Sequence, residues 1–100
     1  MNKVVLLGTV KSLPTKEQTS SGRAVTRFEV TTNRIIKDEA GDKVKVVDCH
    51  KITAAGKQAA QCQEQLKLNS MILVEGALRR EDKGQCEIVA TDISFISDIK

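Results

Sequence analysis

The sequence is poor in rings, prolines and long apolar runs. Of its 100 residues only Phe28 and Phe95 are aromatic, and there is no Trp or Tyr. The core must therefore be aliphatic, built from Val, Ile, Leu and Ala. Pro14 is the only proline. No apolar run approaches the roughly 18 residues of a membrane span, so no membrane partner is expected. Met1-Asn2-Lys3 leads directly into an apolar stretch, which speaks against a signal peptide and for a cytoplasmic protein. The three cysteines, 49, 62 and 86, are an odd number without CxxC spacing, and the single histidine cannot complete a zinc set. No metal is expected, and the thiols read as reduced and half-buried. There is no GxGxxG or Walker pattern, so no cofactor is expected either.

What remains is a chain of one-domain length, residues 1–100, with a modest core. It carries 16 basic and 13 acidic residues, a net charge of +3. That balance permits a polyanionic partner without demanding one.

A short β-branched run predicts a strand over Val4–Val10 and alternation predicts strands over Ala24–Ile36 and Val44–Ala55, with two more expected over Met71–Arg80 and Gln85–Ile96. Gly8 and Gly76 mark bends within them. Lys11–Gly22 holds Pro14 and a Thr-Ser-Ser-Gly run and reads as a polar turn. Lys37–Lys43 is a charged hairpin loop. Gly56–Leu68 reads as a short helix, with Ala59, Cys62, Gln63 and Leu66 as its narrow stripe and Asn69 as its stop. Five strands with one short helix between strands 3 and 4 give an all-β class and the order of a five-stranded OB-fold barrel.

Cys49 and His50 invite a catalytic interpretation, but adjacent strand residues point to opposite faces. His50 then faces the interior or a subunit contact, and Cys49 the wet face. Nothing else resembles a catalytic set, so no enzyme activity is expected. The wet face of the third strand holds Lys45, Cys49, Lys51 and Ala55.

Asn2-Lys3-Val4-x-Leu6-x-Gly8, Pro14, Gly22-x-Ala24-Val25 and Phe28-x-Val30-x-Thr32 together resemble the bacterial single-stranded DNA-binding proteins. The likeness continues through His50, Gly56-Lys57-x-Ala59, Leu66 and Val74-Glu75-Gly76-x-Leu78-Arg79. The same superfamily holds the primosomal replication protein PriB. The resemblance implies an OB-fold that assembles as a homodimer or homotetramer, with His50 near the subunit contact. It implies single-stranded DNA as partner, with RNA as a variant, in replication, primosome assembly or repair, alongside replication-restart or repair proteins. The basic residues that would track phosphates are Arg34, Lys37, Lys45, Lys51, Lys57, Arg79, Arg80 and Lys83.

Two departures accompany the resemblance. The family's stacking rings fall near Ile36, Cys49, Ala55 and Asp82, and none of these is aromatic. Each missing platform is worth about 1–3 kcal/mol per base. The chain also closes with Ser97-Asp98-Ile99-Lys100, where the family carries a disordered acidic tail. The missing rings keep open a second possibility, an OB-fold module that contacts another protein and binds nucleic acid little or not at all.

Overall fold

The computed structural model describes residues 1–18, 21–80 and 84–96. In chain order the elements are β1 (Val4–Val10), β2 (Thr15–Gln18), β3 (Ala24–Lys37), β4 (Lys43–Ala55), α1 (Lys57–Gln65), β5 (Met71–Arg80) and β6 (Cys86–Ile96). The segment expected to be a polar turn contains the extra strand β2. The described residues therefore form six strands rather than five, and the helix lies between β4 and β5. All four β2 residues, Thr-Lys-Glu-Gln, are exposed, so no alternation marks them. Their backbone ladder to β3 makes the strand, from Thr15 opposite Arg27 to Gln18 opposite Ala24.

Five of the six strands close a barrel. β1 pairs with β5, β5 with β6, β4 with β3, and β3 returns to β1 through Thr9–Thr31 and Val10–Val30. The remaining seam, β4 to β6, is parallel at Ile52–Ile88 and Thr53–Val89. Closure at this size requires backbones to approach closely. At Gly8, where β1 passes from β5 toward β3, an added Cβ would lie 2.5 Å from the Thr31 carbonyl oxygen. At Gly76 it would run into the Val89 carbonyl, beside a bulge that interrupts the β5–β6 register. The two expected bends are thus places where only hydrogen fits.

The Asn2 side chain lengthens the β1–β5 ladder. Its Nδ2 donates to the Leu78 carbonyl at 2.7 Å, and the Leu78 N–H donates to its Oδ1 at 2.9 Å. An amide side chain offers the same donor and acceptor as a peptide unit, so it substitutes for one more strand residue.

The core is aliphatic apart from Phe28, which is buried in it, and Phe95, which packs against it. Val10, Val30, Ile52, Ile72 and Val74 are fully buried. α1 closes the barrel with Cys62 and, just past its end, Leu66. Gln63 of the expected stripe instead stays exposed and donates to Thr26 Oγ1. Asn69 adopts a left-handed φ of 67° where the chain turns toward β5. The thiols are not uniformly half-buried: Cys62 is buried, while Cys49 and Cys86 are exposed.

The β3–β4 ladder outruns the barrel. Asn33–Lys37 are all exposed, as are Lys43, Val44 and Lys45 across from them. This arm is closed by Asp38, whose carboxylate accepts the Asp42 N–H at 2.8 Å and whose carbonyl accepts the Gly41 N–H.

Candidate nucleic-acid interface

Pleating sorts the β3–β4 ribbon into two faces. From tip to barrel, one face holds the cross-strand pairs Lys37–Lys43, Ile35–Lys45, Asn33–Val47, Thr31–Cys49, Glu29–Lys51 and Arg27–Thr53. The other holds Ile36–Val44, Arg34–Val46, Thr32–Asp48 and Val30–His50. Lys37, Lys45 and Lys51 therefore do share a surface. Arg34 does not belong to it: it points to the opposite side, where its Nε donates to Asp48 Oδ2 at 2.8 Å. Its even position, shared with Thr32 and Val30, is the signal in the sequence that marks this.

Cys49 and His50 are separated as strand parity requires. His50 is half-buried, with Nε2 2.8 Å from Thr32 Oγ1. The Cys49 thiol donates to Glu29 Oε2 at 3.3 Å. Partial desolvation and that carboxylate push the Cys49 pKa up, while Lys11 and Lys51 pull against them. Lys11 thus reaches this face from the segment after β1, although nothing in its sequence context marks it. Lys43, expected in the hairpin loop, is instead the first residue of β4, directly opposite Lys37. Like charges so placed repel, and an anion between them relieves the repulsion.

The arm and the barrel differ in charge. On the arm, Lys37, Lys43 and Lys45 make no ion pair among the described residues. Between them stand exposed apolar side chains, Ile35 at 69% and Val47 at 57% exposure. Ile35 and Val47 are diagonal neighbours across the ribbon, within reach of one flat ligand. Nearer the barrel the charges are mixed. Lys51 Nζ donates to Gln85 Oε1 at 3.0 Å. Arg27 bonds Glu17 at 3.0 Å and lies 3.9 Å from Glu87. Arg79 lies 3.8 Å from the other oxygen of Glu87.

The remaining expected residues are spread more widely. Arg79 stands opposite Glu87 and Arg80 opposite Cys86 on the β5–β6 hairpin. Lys57 opens α1, beyond the barrel end of β4. Ten residue steps of about 3.3 Å each separate Lys45 from Ala55, so Lys57 and the arm lysines lie at opposite ends. Lys83 falls outside the described residues, as do Asp82 and the closing residues 97–100. No group of three or more metal-ligating side chains occurs among the described residues. No helix among them is long and apolar enough to cross a membrane.

The family model described as the single-strand binding protein family matches residues 1–96. Single-stranded DNA-binding protein 1 of Chlorobaculum tepidum is 31% identical over 96% of this chain and 65% of its own length. The single-stranded DNA-binding protein of Xanthomonas campestris is 29% identical over 96% of this chain and 60% of its own. The chain thus spans less than two thirds of either relative. Among solved structures, wild-type single-stranded DNA-binding protein from Thermus aquaticus superposes with a TM-score of 0.79 at 25% identity. It matches 97% of this chain and 50% of the other. A Plasmodium falciparum single-stranded DNA-binding protein in complex with single-stranded DNA shares the fold, with a TM-score of 0.79 over 97% of this chain and 96% of its own. With a closed barrel, one helix and a family match over nearly its whole length, the chain belongs to the single-strand binding protein family.

Proposed function

We propose that this chain binds single-stranded DNA without strong sequence preference, led by charge rather than by stacking. The observation that carries the proposal is the outer β3–β4 face. There Lys37, Lys43, Lys45 and Lys51 line up with the exposed side chains of Ile35 and Val47. Lysines meet phosphates as compact point charges. Branched aliphatic side chains offer bases an apolar surface but not the ring-on-ring contact worth about 1–3 kcal/mol. Arg79, Arg80 and Lys57 extend the positive field around the barrel, while Arg34 acts from the reverse face of the arm. Binding released by salt and indifferent to base identity follows from such a surface.

The domain acts as a binding module in replication, primosome assembly or repair rather than as an enzyme. It works as a homodimer or homotetramer with His50, on the reverse face, at the subunit contact. Cys49 and Ala55 in place of rings, with Glu29 set among the lysines, favour a second possibility: a protein-interaction module with residual nucleic-acid affinity.

The deciding experiment compares labelled oligo-dT, a duplex of equal length and the matching RNA at low salt. Preference for either single strand over the duplex supports the proposal, and the DNA and RNA arms name the strand. Absence of single-strand binding at low salt leaves the protein-interaction module standing.

A further inference from the structure

Glu87 sits between Arg27 and Arg79 on a face of mixed charge, where a carboxylate opposes the polyanion that face would hold. Its register is outward: it stands opposite Arg79 across β5–β6, while its neighbour Ile88 belongs to the core. Yet Glu87 is only 2% exposed. A carboxylate so deeply covered persists only with close polar partners. Thr53 Oγ1 donates to Oε2 at 2.8 Å. Arg27 approaches the same oxygen, with one terminal nitrogen 3.9 Å away, and Arg79 Nε lies 3.8 Å from Oε1.

The two arginines come from strands on either side of the β4–β6 seam, Arg27 from β3 and Arg79 from β5. Separations of 3.8–3.9 Å are ion pairs rather than hydrogen bonds, so Glu87 orients these guanidiniums without consuming their N–H groups, of which Arg27 gives only one terminal nitrogen to Glu17. Each guanidinium has five N–H donors in a fixed fork. The Arg79 side chain is 64% exposed. Arg27 Nε is buried and has no acceptor among the described residues. Beside Arg27 lies an open depression of about 430 Å³, lined also by Ser12, Thr15, Lys51 and the carboxylates of Glu17, Glu29 and Glu87.

We infer that Glu87 is a positioning residue: from beneath the surface it holds Arg27 and Arg79 as a two-armed phosphate clamp. The inference rests on the single-strand reading above and deepens it. Arg27, which the ladder register places opposite Thr53 on the same face as Lys51, becomes a phosphate contact. Arginine suits this task because its fork can face a carboxylate on one edge and a phosphate on another, which a lysine ammonium cannot do as rigidly.

The test turns on a sign. Glu87→Gln keeps an oxygen to accept from Thr53 and removes a negative charge from the face. If Glu87 merely neutralises its neighbours, the variant binds oligo-dT more tightly. If Glu87 positions them, binding weakens several-fold and the salt slope flattens by about 0.7 for each phosphate that is no longer neutralised. Tighter or unchanged binding overturns the clamp. Should Glu87→Gln fail to fold, Arg27→Lys and Arg79→Lys decide, since both keep their charge. Each is expected to weaken binding, and wild-type affinity in both overturns the clamp. Wild-type protein that binds no single strand at low salt defeats the single-strand reading and the clamp together. Wild-type binding with an unaffected Glu87→Gln variant defeats the clamp alone.

Discussion

Lys51 and Glu29 stand directly opposite each other across β3 and β4, yet they do not pair. Lys51 gives its ammonium to Gln85 Oε1 at 3.0 Å, and Glu29 takes the Cys49 thiol at 3.3 Å. The lysine's charge is therefore met by a neutral amide and remains available to a phosphate. Lys51→Ala is expected to weaken oligo-dT binding and to flatten its salt slope by about 0.7, the share of one phosphate on a single strand. Lys51 is exposed, so the thermal midpoint should hardly move. Filter binding across a salt series with parallel circular dichroism checks both halves. An unchanged slope removes Lys51 from the interface.

The missing rings lead to a gain-of-function prediction. Cys49 is exposed on the proposed binding face, at a position where the resemblance places a stacking ring. Cys49→Trp should fold normally and bind oligo-dT more tightly by about 1–3 kcal/mol, the worth of one stacked base. Its indole fluorescence should be quenched on binding, with no other Trp in the chain to obscure it. Unaltered affinity and unquenched fluorescence would place the strand elsewhere.

Thiol chemistry reports on the same face. Burial pushes the Cys62 pKa up to about 11. A thiol that is harder to ionise when folded binds its proton more tightly in the native state. Cys62 therefore lowers stability as pH rises from about 9 toward 11, where the unfolded chain ionises first. At pH 8, alkylation followed by mass spectrometry should modify Cys49 and Cys86 in the native protein and Cys62 only after denaturant is added. Glu29→Gln keeps an oxygen for the thiol but removes the charge that raises the Cys49 pKa, so Cys49 should label faster.

Barrel closure makes the sharpest stability prediction. Ile72 is fully buried, and Ile72→Ala should cost about 2–5 kcal/mol by urea unfolding. Gly76→Ala places a methyl against the Val89 carbonyl at the bulge, and only separation of β5 from β6 can relieve it. It should destabilise at least as much, even though it adds apolar surface. A Gly76→Ala variant as stable as wild type would mean that the β5–β6 seam is loose.

Much of the barrel is legible in the sequence. The bounds of β1 and β5 are those expected from the residues, and β3, β4 and β6 differ by a residue at an end. Those segments carry a period of two with one buried face, which residue types reveal directly. β2 is not legible because its four residues are all exposed and its stability comes from pairing with β3. The separation of Cys49 from His50 follows from parity alone. The same rule places Arg34 on the reverse face, although its position beside the hairpin suggests otherwise. The burial of Glu87 has no local signal. It depends on the parallel β4–β6 seam, which brings Thr53 to a residue 34 positions away.

Charge leading the proposed binding, with little from stacking, is tested most directly by the slope of log K against log salt for an oligo-dT of about 35 nucleotides, long enough for at least two OB folds. Affinity should fall steeply with rising salt, several phosphates at about 0.7 each, with almost no binding left at high salt. Tight binding that survives high salt with a shallow slope would contradict charge-led binding.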